Sequence, residues 1–95
     1  MKLRLTEPAA NDVRVITDLI ALGDPERAEQ VAQGFEAIFK AIELAPFQCS
    51  PVRRTGFATV RKKSIRPYVV LFEIVGEEIW ILRAAHERSD WVSLL

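Results

Sequence analysis

The chain has one cysteine and one histidine, and that scarcity excludes several chemistries at once. Cys49 has no second cysteine to pair with, so no internal disulfide forms and a reducing cytoplasm is the expected location. A single cysteine in a loop is expected to be inert. One histidine and one cysteine cannot build a Cys/His zinc site, and neither metal nor cofactor is expected. No apolar run approaches the ~18–20 residues that span a bilayer. The opening MKLRLTEPAANDV lacks the apolar block of a signal peptide, so no membrane role is expected. Repeats, low-complexity tracts and linkers are also missing, which leaves one domain over residues 1–95.

One further absence is local. From Leu44 to Phe72 there is no acidic residue, while Arg53, Arg54, Arg61, Lys62, Lys63 and Arg66 all fall there. The net charge of zero therefore hides an asymmetry. Residues 1–50 hold five basic and eight acidic side chains, and residues 51–95 hold eight basic and five acidic. Such a basic block suits an acidic partner, either nucleic acid or an acidic protein segment; it also suits a solvated loop and strand edge.

Hydrophobic residues make up 49% of the chain, which excludes a disordered protein. KLRLT at 2–6 alternates and predicts a short strand. Thr6 and Pro8 fit the cap and first turn of a helix, and Ala9, Val13, Ile16 and Ile20 form one apolar stripe on it, closed by Gly23. Asp24-Pro25 opens a second helix whose stripe is Ala28, Val31, Ala32, Phe35, Ile38, Phe39 and Ile42, limited by Pro46. So short a connection predicts an antiparallel helical hairpin. PFQCSPVRRTG at 46–56 reads as a loop. A strand is predicted near 57–62, then strands at 68–75 and 78–86 joined by Gly76-Glu77, a type II′ hairpin signal.

With Val75 opposite Glu78, the hairpin register sets Ile74 against Ile79, Phe72 against Ile81 and Val70 against Arg83. One face then carries Tyr68, Val70, Phe72, Ile74, Ile79 and Ile81 and packs on the helices. The other carries Val69, Leu71, Glu73, Val75, Glu78, Trp80, Leu82, Ala84 and His86. With no helix left to cover it, this half-apolar face is expected to bind a partner, unless WVSLL at the C-terminus folds back over it. The predicted class is α+β: an N-terminal strand and an antiparallel α-helical hairpin packed on one face of a small antiparallel β-sheet.

The order strand, helical hairpin, basic loop, antiparallel sheet resembles the ParE/RelE superfamily of bacterial toxins. The resemblance rests on DPERAEQVAQGFEAIFKAIELAP and on RPYVVLFEIVGEEIWILRAAHERSDW. The RelE branch cuts mRNA on the ribosome, with cations that stabilise phosphate charge and a proton donor and acceptor for the 2′-OH attack. A strand in that branch commonly reads Tyr-Arg-hydrophobic-hydrophobic-Tyr. Here it reads Tyr68-Val69-Val70-Leu71-Phe72, with valine at the arginine position. His86 and Val92 stand where a second arginine and a tyrosine are typical. ILRAAHERSDW is therefore not an intact nuclease site, and the resemblance is to ParE.

That resemblance implies a toxin without chemistry of its own, one that inhibits DNA gyrase and is neutralised by a ParD-like antitoxin. DNA is reached only indirectly, through the antitoxin. Antitoxin tails are typically amphipathic and acidic, which assigns Leu71, Trp80, Leu82, Arg53, Arg54 and Lys62 to antitoxin binding. Arg83, His86, Arg88 and Trp91, near or within HERSDWVSLL, are assigned to the target, although Arg83 is also placed to pair with an acid on the helical side. Two alternatives remain. A ribosome-dependent mRNA endonuclease would use His86 as acid/base with Arg83, Arg88, Arg61 and Lys63 as phosphate clamps. A plain nucleic-acid-binding module would use residues 53–66.

Overall fold

The computed structural model describes residues 1–55 and 58–95. Strand β1 (Lys2–Leu5) leads into helix α1 (Glu7–Ala21) and helix α2 (Pro25–Leu44). A 3₁₀ turn at Pro46–Gln48 precedes strands β2 (Ser50–Thr55), β3 (Ala58–Ile65), β4 (Tyr68–Val75) and β5 (Glu78–His86), and a second turn, Trp91–Leu94, follows. Phe57, placed in a strand by its sequence, lies outside the described residues.

Both helices start where their caps predict. The Thr6 hydroxyl accepts the Ala9 N–H at 3.2 Å, and the Asp24 carboxylate accepts the Arg27 N–H at 3.1 Å. Each helix has proline in its first turn, where no intrahelical partner is lost. The stripe of α2 is buried at Ala28, Val31, Phe35, Ile38, Phe39 and Ile42. From α1, Ala9 is fully buried, and Val13, Ile16 and Ile20 pack at the margin of the same core. Tyr68, Val70, Phe72, Ile79, Ile81 and Ala84 meet them from the sheet.

The sheet has the order β1-β5-β4-β3-β2 and is mixed: β1 joins β5 in parallel, while the other pairs are antiparallel. The later four strands form the expected antiparallel sheet, and the N-terminal strand extends it in parallel. The loop expected over 46–56 is corrected, because residues 50–55 form β2, an edge strand on β3. Pro51 hid it. Proline donates no ladder hydrogen bond and is confined to edges and irregularities, and the register of β2 does shift between Pro51 and Arg53.

The β4–β5 turn follows its sequence signal. Gly76 has φ +61°, and no described non-glycine residue shares that region, which is the type II′ pattern. Val75, Ile74 and Phe72 face Glu78, Ile79 and Ile81 as expected. The register then shifts by one: Leu71 faces Arg83 and Val70 faces Ala84, so Leu82 is a bulged residue and the expected Val70–Arg83 pair does not form. The start of the chain is fastened at this bulge. Thr6 N–H donates to the Ile81 carbonyl at 3.0 Å, and the Thr6 hydroxyl donates to the Leu82 carbonyl at 3.0 Å. Beyond the bulge the faces exchange. Ala84, expected on the open face, is 4% accessible in the helix-side core, and His86 stands edge-on to Tyr68 at 5.6 Å.

Candidate functional site

The open face of the sheet is only partly open. Val69 and Leu71 are 1% and 2% accessible, yet neither belongs to the helix-side core. The C-terminal segment lies on their side of the sheet. The Trp91 ring sits 5.2 Å from Lys62 Nζ, on the strand next to Leu71, and Arg53 of the edge strand donates to the Leu95 carbonyl. The WVSLL segment thus folds back. Leu71, assigned to antitoxin binding as an exposed residue, is removed from the accessible surface. The sequence pattern showed its face but not the segment that returns to cover it.

What stays accessible divides into two patches. On the first, Trp80 and Leu82 are half-buried near β1. Arg4, opposite Trp80 in the parallel register, holds its guanidinium 5.8 Å from the indole centroid and is also paired with Glu78. The second is the basic edge, with Arg53 and Arg54 exposed and Lys62 half-buried beneath Trp91. The two patches lie at opposite ends of the strand order.

The residues assigned to the target cluster at the end of β5. His86 Nδ1 accepts the Arg88 N–H at 3.1 Å, while the His86 carbonyl accepts from Ser89 N–H at 2.9 Å and Ser89 Oγ at 2.6 Å. The imidazole closes a tight turn that leaves Arg88 exposed and delivers Trp91 to Lys62. Arg83 is committed elsewhere. Its Nε and Nη2 donate to the two Asp12 oxygens at 2.7 and 2.9 Å, and Asp12 also accepts the Ala84 N–H at 3.0 Å. These hydrogen bonds hold the guanidinium pKa above the usual arginine value, with burial opposing them. Asp12 is the structurally decisive residue that the sequence did not single out. Its one signal is its place beside Val13, at the border of the buried stripe of α1.

Of the cations that a phosphate clamp would need, Arg88 lies beside His86, but Arg61 and Lys63 are placed apart from it in the sheet. Arg61 donates to the carbonyls of Phe47 and Cys49 at 3.3 and 2.9 Å and lies in register with Phe72 and Ile81, whereas His86 is in register with Tyr68 and Ile65. Lys63 is opposite Val70. Cys49 is 8% accessible and its Sγ donates to the Ala45 carbonyl at 3.7 Å. Burial pushes this thiol up, against the pull of Lys63 and Arg61, so it is a poor nucleophile. Among the described residues, no group of three His, Cys, Asp or Glu could hold a metal ion, and no helix is long and apolar enough to cross a membrane.

Comparison with known proteins gives this geometry a family. The model of the ParE toxin of type II toxin–antitoxin systems (parDE) matches residues 3–91. Among solved structures, the chain superposes on a member of the chromosomal ParDE toxin–antitoxin system of P. aeruginosa with TM-score 0.75. That pair is 27% identical and covers 90% of this chain and 95% of the other. The toxin–antitoxin complex RelBE2 of Mycobacterium tuberculosis shares the fold at TM-score 0.59, with 24% identity and the same coverage. No curated protein sequence matches the chain. With nearly its whole length matched, the chain belongs to the ParE toxin family of type II toxin–antitoxin systems.

Proposed function

We propose that this toxin inhibits DNA gyrase by protein–protein binding, with no covalent step of its own, and that a ParD-like antitoxin neutralises it. The observation that carries this reading is the fixed state of Arg83. Arg83, three residues before the histidine on β5, is chelated by Asp12, so it is not free to stabilise a phosphate. Val69, at the position where the nuclease branch places an arginine, is buried and can neither hold a phosphate nor move a proton. A protein-binding toxin needs neither function.

In this reading the antitoxin engages Trp80 and Leu82 with apolar side chains and Arg53, Arg54 and Lys62 with acidic ones. Because these patches lie at opposite ends of the sheet, the antitoxin segment must be long and must cross the sheet or pass around it. Exposed Arg88 and half-buried Trp91 face gyrase, and both are residue types that dominate protein interfaces. His86 shapes the turn that presents them, and Arg83 anchors its base. The ParDE neighbour from P. aeruginosa supports a ParD-type partner.

The test is a supercoiling reaction containing purified gyrase, relaxed plasmid and the toxin, run beside a reconstituted translation reaction with mapping of mRNA ends. The expected result is lost supercoiling with accumulation of cleaved plasmid, reversed by the antitoxin, and intact mRNA. Specific cuts in ribosome-bound mRNA with unaffected supercoiling would replace this reading with the endonuclease one.

A further inference from the structure

We propose that the pocket between α2 and the β3–β4 connection binds a small organic phosphate monoester. Arg27, Arg66 and Tyr68 hold the phosphate, and the gap at Gly34 takes the organic body. The reading concerns the toxin alone and stands apart from gyrase and antitoxin. Three observations carry it. The first is a glycine with no use inside its own chain. Gly34 lies in the middle of α2, where glycine is the poorest residue after proline. It has no positive φ, and a Cβ built on it would meet nothing within 4 Å. Neither backbone conformation nor packing asks for glycine there, and the space it leaves is open to an occupant from outside the chain.

The second is a tyrosine hydroxyl with nothing to bind. Tyr68 is 7% accessible, and its ring packs 4.8 Å from that of Phe35. Among the described residues its hydroxyl makes no hydrogen bond, yet no buried polar side-chain atom there is left without a partner. The hydroxyl therefore reaches solvent, and it does so where Tyr68 lines the pocket. A buried side chain whose one polar atom opens on a pocket is a ready donor to an anion.

The third is charge and shape. The pocket, of about 180 Å³, has Arg27, Val31 and Gly34 on one wall, spaced by four and three along α2, and Arg66, Pro67 and Tyr68 on the other. No acidic residue is among those that line it. Arg27 forms no ion pair among the described residues, and Arg66, with its side chain 90% accessible, comes only within 3.8 Å of Glu87. Both guanidiniums are free to turn inward. A phosphate monoester carries close to two negative charges near neutral pH and accepts paired N–H donors, so it matches two arginines better than a carboxylate does. The volume equals the liquid share of about six waters, which suits a phosphate bearing one small ring against Val31 and Pro67.

The test is titration of the isotope-labelled full chain, purified free of antitoxin, with phenyl phosphate, inorganic phosphate and benzoate, followed by NMR. Phenyl phosphate should shift the amides of Gly34 and Tyr68 saturably, with half-saturation in the millimolar range expected of so small and open a site. Inorganic phosphate, which lacks the ring, should bind about tenfold more weakly. Benzoate, with one charge, should bind about fivefold more weakly. Tyr68→Phe keeps the ring and loses only the hydroxyl, and it should weaken phenyl phosphate about tenfold. Gly34→Leu should weaken it by at least about tenfold, because a helical leucine leans over the preceding turn and into this space. Its melting temperature should hold or rise, since leucine is the better helix former. Unsaturable shifts scattered over the basic strands, benzoate matching phenyl phosphate, or binding indifferent to Gly34→Leu would each overturn the proposal. So would a parent chain that binds no phosphate while Gly34→Leu loses antitoxin affinity, since the space would then belong to the antitoxin.

Discussion

Removing the Asp12 carboxylate tests the anchor that sets the geometry at the end of β5. Asp12 accepts three hydrogen bonds, two from the Arg83 guanidinium and one from the Ala84 N–H. Its side chain is 13% accessible, that of Arg83 36%. In Asp12→Ala the Ala84 N–H, on a residue 4% accessible, loses its acceptor. A buried donor left unsatisfied costs about 1–3 kcal/mol. The charged pair adds little because Arg83 is more than a third exposed, and such pairs contribute roughly 0–1 kcal/mol. The total is about 1–4 kcal/mol, with a central value of ~2.5 kcal/mol. For a domain of this size, the central value lowers the melting temperature by roughly 10–20 °C. Arg83→Ala removes only the pair and should cost about 1 kcal/mol. Asp12→Asn keeps one acceptor for the Ala84 N–H and should fall near Arg83→Ala. Urea denaturation followed by circular dichroism measures all three. If Asp12→Ala proved no more damaging than Arg83→Ala, the backbone contact would not be the anchor, and this account of how the bulge is held would be wrong.

Leu71→Ala should destabilise the chain by about 2–5 kcal/mol, as expected for a buried leucine, and thermal melts will show it; a loss under 1 kcal/mol would mean the C-terminal segment does not cover this face. Trp80→Ala should weaken co-purification of the antitoxin by roughly 2–4 kcal/mol in binding, read by calorimetry, and full affinity in that variant combined with charge reversal at Arg53, Arg54 and Lys62 would dismiss this map of the interface. Arg88→Ala should relieve gyrase inhibition in the supercoiling assay with an unchanged melting temperature, since Arg88 is exposed and only its backbone is used in the turn. Truncation after Glu87 should do the same but also lower stability by uncovering Val69 and Leu71. Cys49 should react with iodoacetamide near neutral pH more slowly than a free thiol. Because the fold raises the thiol pKa, this group's contribution to stability is complete below the unfolded thiol's pKa and is lost as pH rises through the folded one; alkaline titration of the melting temperature against Cys49→Ala checks the sign.

Much of the architecture is written in local signals. Caps and prolines set the starts of both helices, a period of 3.6 marks their buried faces, and Gly76-Glu77 makes the β4–β5 turn, because each of these depends on residues a few positions apart. The departures from the nuclease pattern at Val69, His86 and Val92 were equally legible, since they are matters of residue identity. What the tertiary structure decided depends on contacts distant in the chain. β1 completes the sheet in parallel, and its partner β5 lies 76 residues later, from Lys2 to Glu78, beyond the reach of any local signal. β2 is a strand despite Pro51 because β3 supplies the pairing. The bulge at Leu82 exists where Thr6 donates to the Leu82 carbonyl and Asp12 accepts the Ala84 N–H just beyond it, and it moved Ala84 and His86 to the opposite face. Leu71 is buried because residues 91–95 return across the sheet, and alternation along a strand reports which side a residue takes, never what later covers it.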